Sequence, residues 1–358
     1  MRSIMKYSGK TVSAFCCSLF CVWTAVSCIG VDYGYTNDGS GIPGGYGTSD
    51  LSIEFNWPGG AGDTGARIPE KMTVIMAADV DEIHYRWNVG NDGMIPGAEA
   101  PVMPVIRHGD YYAAAFHADG DSFEFSGLDK FSSGSYPMSS VAASLPSVND
   151  AALNMEFGVS GSEFGVEYAV VGNADHLWHA AGRLSSNSDN TPVLSFTPAD
   201  LSIDLDFKLT LRLVAGARVS SVTAALAGVP ASVNLMTGNA SGNAVGKSVF
   251  KMDAVSASGE SVTFSGKLRT LGAFSSSYGS YLAGSGIVWL AIDASAGSVQ
   301  RRLYAGVNIS SQINGQGIME KNGDGYRLAK NHAVFNMGTL TLDGEKLVSG
   351  DNAVDKWK

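Results

Sequence analysis

The sequence predicts an all-β chain built as two β-sandwich domains in tandem. Three observations carry this. Segment after segment alternates apolar and polar residues, and the clearest, Leu201 to Leu213 (LSIDLDFKLTLRL), has an apolar side chain at every odd position. A strand places all of these on one side, whereas helical spacing scatters them. Forty-four glycines and only 16% charged residues give the composition of a turn-rich extracellular β protein. Beyond residue 27, no helical pattern longer than about ten residues appears.

Residues 1–27 have the layout of an export signal. Arg2, Lys6 and Lys10 form a basic start, and Thr11 to Val26 is mostly apolar. That run, at about 16 residues, is short of the ~20 that span a bilayer. Ala25-Val26-Ser27-Cys28 looks like a bacterial lipobox, with Ala25 where the usual box has Leu. In such a box the cysteine thiol is acylated with palmitate-type chains and the peptide is cut just before it. Cys16, Cys17 and Cys21 lie in the signal, so Cys28 has no intramolecular disulfide partner once the signal is gone. A lipid gives this odd thiol a fate, and each buried methylene contributes ~0.8 kcal/mol to membrane attachment. Cys28 is therefore the predicted lipidation residue.

Processing leaves Cys28–Lys358, long enough for two domains. It leaves 21 basic against 34 acidic residues, a net charge of −13. An acidic chain with no basic tract argues against nucleic acid and against electrostatic docking on anionic lipid. Residues 28–49 read as a flexible tether: the stretch 29–50 holds seven glycines and no apolar run.

The first sandwich is assigned to residues 50–187. Leu51 to Trp57 alternates and ends at Pro58-Gly59-Gly60. Met72–Met76, Ile83–Val89, Tyr111–Phe116 and Phe123–Phe125 follow, with turn residues between them. Val141 to Leu145 fits a short helix or a loop. Glu167 to Val171 reads as a strand, and Leu177 to Leu184 as another crossing element. The polar break Ser185 to Asn190 marks the boundary, which assigns residues 188–358 to the second sandwich. Leu201–Leu213, extended over ~43 Å, predicts a bend or bulge. Val219–Leu226, Ser248–Ala254, Ser261–Thr270, Ile287–Ile292, Arg301–Ile309 and Leu340–Leu347 are the remaining strands. Asn322-Gly323-Asp324-Gly325 and Asp343-Gly344 suit hairpin turns.

Phe55-Asn56-Trp57-Pro58 followed by Lys71-Met72-Thr73-Val74 resembles the opening of Bacteroides-type fimbrillin-family lipoproteins. So do Gly109-Asp110-Tyr111-Tyr112-Ala113 and Phe123 to Leu128, and, further on, Leu226 to Gly238, Leu268 to Gly272 and the end, Asp351 to Lys358. The likeness runs from Cys28 to the C-terminus. It implies two Greek-key, transthyretin-like sandwiches in a lipoprotein that anchors a type V fimbria or forms its minor or tip subunit. The implied partners are pilin subunits, met through β-strand contacts, and the outer membrane, met through the lipid. Stalk subunits of this family are expected to polymerise after an arginine-directed protease removes an N-terminal strand, which frees a groove for a neighbour's strand. Between Cys28 and Arg67 this chain has no Lys or Arg, which favours an anchor over a shed stalk subunit.

Signals for catalysis or metal binding are weak. His176 and His179 are three apart, with no convergent carboxylate motif, and read as surface or interdomain residues. Asp119-Gly120-Asp121 and Asn322 to Tyr326 lack a calcium-loop register and read as turns. Trp57 and Trp87 fall on the apolar register of their strands and read as core, although Trp57, Trp87, Tyr111 and Tyr112 could stack on sugars. The expectation is a non-enzymatic cell-surface protein of pilus assembly and adhesion, without a cofactor. Cys28 is its attachment residue, and Ala353, Val354, Asp355, Lys356, Trp357 and Lys358 are its assembly contacts. The alternative is a surface glycan-binding lipoprotein of a polysaccharide-uptake system.

Overall fold

A computed structural model describes residues 47–58, 68–78, 84–97, 100–128, 141–150, 153, 157, 168–187, 191–214, 216–242, 245–278, 284–343, 346–348 and 353–354. These residues are mostly strand, as the period-two pattern predicts, with short helical pieces at Ser276–Tyr278 and Ser310–Gln316. The second piece escapes sequence reading because only Ile313 of its seven residues is buried.

A five-stranded antiparallel sheet is formed by Ala199–Asp200, Leu177–Ser186, Gly109–Ala118, Lys71–Ala78 and His84–Gly90, in that spatial order. Two of its three inner strands carry the continuous apolar runs Val74–Ala77 and Ala113–Phe116, which are buried on both faces. Met72, Val74, Met76, Ala113, Ala115 and Trp178 face one core with Leu51, Ile53, Ile106, Leu194 and Phe196. Ile75, Ala77, Ala114, Phe116 and Leu177 face the other way and join a larger core.

That larger core lies inside a long, curled sheet. Its path runs Lys346–Val348, His332–Asp343, Ile203–Val214, Ser261–Thr270, Val245–Ser258, Ala217–Pro230, Ile287–Ala296, Val299–Asn308 and Ala353–Val354. Ile203, Leu205, Phe207, Leu209 and Leu211 are at most 1% exposed, so the odd positions point inward as predicted. Phe207 stacks on Phe250 with ring centroids 4.6 Å apart and lies 5.3 Å from Phe335. The expected irregularity is present: pairing of Ile203–Val214 with His332–Asp343 shifts between Lys208 and Thr210, opposite Gly338 at φ 79°.

Two further bulges split the sheet into layers. Register shifts lie between Val219 and Ser221 and between Ala254 and Ser256. Pairing of Ala217–Pro230 with Val245–Ser258 ends at Val222 and Met252, while each strand keeps its outer neighbour. One hydrogen-bonded path thus opens into two wings that enclose the core, which is the sandwich geometry.

A six-stranded sheet joins Glu124–Ser126, Ala142–Ser144, Ser232–Asn234, Asn239–Ala240, Gly325–Leu328 and Met319–Asn322. Ala142–Ser144 is thus a strand, where the sequence suggested a short helix or loop. Its three small residues carry little periodic signal, and its partners, Ser232–Asn234 and Glu124–Ser126, are distant in sequence or across a long loop. Pairing crosses position 188 in both directions: Val193–Phe196 and Ala199–Asp200 pair with first-half strands, and Val170–Val171 pairs with Lys247 and Ser248.

Candidate functional site

The N-terminal strand is held on both sides. Thr48–Asp50 pairs antiparallel with Val105–Arg107, and Ser52–Phe55 pairs parallel with Val193–Phe196. The handover occurs at Leu51, whose amide donates to the Pro104 carbonyl at 2.7 Å; the next amide, of Ser52, donates to Pro192 at 2.9 Å. Leu51 and Ile53 are buried in the first core, at 0% and 3% exposure. Gly93 (φ 79°) lies so close to this strand that a Cβ would stand 1.9 Å from the Ile53 carbonyl oxygen. Phe55 stacks on Phe196 at 5.7 Å, and Trp57 meets Trp178 edge-on at 5.3 Å. The alternation of Leu51 to Trp57 therefore encodes a strand that fills a slot between 105–107 and 193–196. Cys28 lies outside the described residues.

The C-terminal segment bridges the two margins of the long sheet. Lys346–Val348 pairs with Thr341–Asp343, and Ala353–Val354 pairs with Val307 and Gly306. Of the residues expected at assembly contacts, Ala353 and Val354 thus pair within the chain. Asp355, Lys356, Trp357 and Lys358 lie outside the described residues.

A row of charged pairs follows the chain from Asp200 along the polar face of Ile203–Val214. His176 Nδ1 is hydrogen-bonded to Asp200. The other Asp200 oxygen accepts from the Ser202 amide at 2.8 Å and the Ser202 hydroxyl at 2.7 Å. Next along the chain, Asp204 accepts from Arg269 Nε at 2.7 Å and Nη2 at 2.9 Å, and Asp206 meets His332 Nε2 at 2.9 Å. The Arg269 carbonyl accepts from the Ala174 amide at 3.0 Å, tying the same residue to the first half. The hydrogen bond to Asp200 raises the His176 pKa, against the opposing effect of burial. Burial pushes the Asp204 carboxyl up, but hydrogen bonds and charge from Arg269 hold it below the usual range. His179, in contrast, is buried inside the strand Leu177–Ser186, and burial lowers its pKa to about 4. Its neighbours include Gly238 and Leu235 of the second half of the chain. The sequence showed Asp204 and Asp206 as the polar face of a strand; it gave no sign that Arg269 and His332 meet that face.

Asp119 pairs with His117 at 3.2 Å beside Gly120, which has φ 79°. Gly323 (φ 59°) turns the hairpin between Met319–Asn322 and Gly325–Leu328. Both motifs are turns, as read from sequence. Among the described residues no group of three or more His, Cys, Asp or Glu is arranged to hold a metal ion. Trp57 and Trp87 pack against the first core, and Tyr111 is 3% exposed with its hydroxyl donating to the Arg107 carbonyl at 2.9 Å. Tyr112 lies under the Arg183 guanidinium, 4.4 Å from the ring centroid.

No protein-family model and no curated protein matches the chain. Solved structures do. A presumed adhesin from Bacteroides ovatus is similar at 13% identity and a TM-score of 0.51, over 77% of this chain and 90% of that one. A presumed adhesin from Bacteroides thetaiotaomicron has 9% identity and a TM-score of 0.45, over 85% and 95%. The fimbrial anchor protein Mfa2 from Porphyromonas gingivalis has 12% identity and a TM-score of 0.43, over 82% and 90%. The first likeness shows a shared fold.

Proposed function

We propose that this chain is a lipid-tethered cell-surface subunit of a fimbria, an anchor or accessory component, held to the outer membrane through Cys28. It would act in adhesion and pilus assembly through strand contacts with pilin subunits, and with no catalytic step. The two sandwiches would be residues 50–187 and 188–358, with strands pairing across the boundary. One observation supports the anchor role above others: Ser52–Phe55 fills the slot beside Val193–Phe196, and no Lys or Arg separates Cys28 from Arg67. An arginine-directed cut between the lipid and this strand is not available, so the strand stays joined to its lipid. The fold shared with a presumed adhesin supports a surface role. The packing of Trp57, Trp87 and Tyr111 against the first core weighs against a glycan platform.

The experiment is Cys28→Ala in cells that bear fimbriae, with filaments collected from cells and from medium. An anchor mutant releases filaments into the medium. Filaments that stay attached at unchanged length would show that anchoring is the wrong role.

A further inference from the structure

The seven-residue strand His84–Gly90 ends the five-stranded sheet, and no described strand pairs with its outer side. Among the described residues no other terminal strand of a sheet exceeds four residues, and the outer side of Val299–Asn308, paired only at Gly306 and Val307, carries Arg301 and Arg302. The strands that part at Val222 and Met252 are blunted by bulges; this one has none. Its register with Lys71–Ala78 runs unshifted from Lys71–Gly90 to Ala77–His84, and it contains no proline. Among the described residues, most devices that protect a sheet edge are missing here, apart from the single charge of Arg86.

We propose that this edge pairs, antiparallel and about a two-fold axis, with His84–Gly90 of a second copy of the chain. Trp87 is the midpoint of the strand. Pairing centred on it sets Trp87 against Trp87, Arg86 against Asn88, Tyr85 against Val89 and His84 against Gly90. No charge meets a like charge, and the aromatic and β-branched side chains meet on one face, where cross-strand pairs are favourable. A register centred one residue earlier would oppose Arg86 to Arg86, which is unfavourable. One centred a residue later shortens the overlap at both ends. Tyr85 and Trp87 are already stacked, with centroids 5.1 Å apart and planes 14° from parallel, so little side-chain freedom remains to be lost. The contact is isologous, as a closed dimer requires, and joins two five-stranded sheets into one continuous sheet.

Arg86 and Asn88 are exposed, so both can be changed without touching the core. Full-length chains carrying Arg86→Cys and Asn88→Cys, differently tagged, are co-expressed, mildly oxidised and mapped by mass spectrometry. The expected result is a disulfide joining the two introduced thiols in the mixed sample, at several-fold lower yield with either variant alone. In sedimentation of the otherwise unaltered chain, Asn88→Asp, now facing Arg86, tightens association. Asn88→Lys weakens it, each by roughly two- to thirtyfold. A strictly monomeric chain, equal behaviour of the Asp and Lys variants, or thiols joined instead to a different protein would overturn the proposal. None of these outcomes bears on the Cys28 experiment.

Discussion

Arg269 grips Asp204 directly across two antiparallel strands, with both carboxylate oxygens engaged at 2.7 and 2.9 Å. The same arginine takes the Ala174 amide on its backbone carbonyl, so one residue ties a strand of the second half to the loop that enters Leu177–Ser186.

Replacing Arg269 by methionine keeps the stem and removes the fork. Both groups are partly exposed, so the bidentate pair contributes only about 1 kcal/mol. Asp204 is held below its ordinary pKa, so its share of that stability is present above the unfolded value of 3.8 and is lost as the pH falls through the lower folded one. Chemical denaturation at pH 7 should show the loss, and the difference between variant and native chain should shrink in acid.

The two histidines of His176-Leu177-Trp178-His179 predict opposite slopes. His176 has a raised pKa, so its bond to Asp200 stabilises fully below about pH 6.5, the unfolded value. That contribution disappears as the pH rises through the folded one. His179 folds neutral with a pKa of about 4. Its unfolded form protonates near 6.5, so stability falls by about 3 kcal/mol between pH 6.5 and 4. Melting temperatures recorded across pH 4 to 8.5 should lose the first slope in His176→Gln and the second in His179→Leu.

Ile53→Ala should destabilise the protein by about 2–4 kcal/mol, because a side chain 3% exposed leaves a cavity in the first core. The effect should show in urea titration. Local hydrogen exchange should rise in Ser52–Phe55 and Val193–Phe196, which pair through this position.

Two glycines separate steric from conformational cost. Gly338→Ala meets nothing within 4 Å, so only the positive φ opposes it, at about 1 kcal/mol. Gly93→Ala shares that φ and also drives a Cβ into the Ile53 carbonyl at 1.9 Å. Its loss of stability should be at least twice that of Gly338→Ala, measured by the same denaturation curves.

Much of the fold was legible along the chain. Leu201–Leu213 announced its inward face residue by residue, and Leu51–Trp57 announced a half-buried strand. Ser310–Gln316 and Ala142–Ser144 were not legible. A polar helix with one buried isoleucine and three small residues in a strand leave no periodic trace. Ala353 and Val354 were singled out as contacts for other chains; their pairing with Val307 and Gly306 inside this chain left no trace in the sequence.

Local side-chain chemistry, by itself, determined the all-sheet architecture, the inward register of the strands and the turns at Gly120 and Gly323, since period and positive φ act within a few residues. Tertiary structure alone decided that Thr48–Phe55 changes partners at Leu51, that bulges split one sheet into two layers, that Arg269 meets Asp204, and that His84–Gly90 is left at an edge. These are pairings between residues tens to hundreds of positions apart. Backbone hydrogen bonds carry no residue identity, so strand order emerges only when the whole chain buries its apolar faces together.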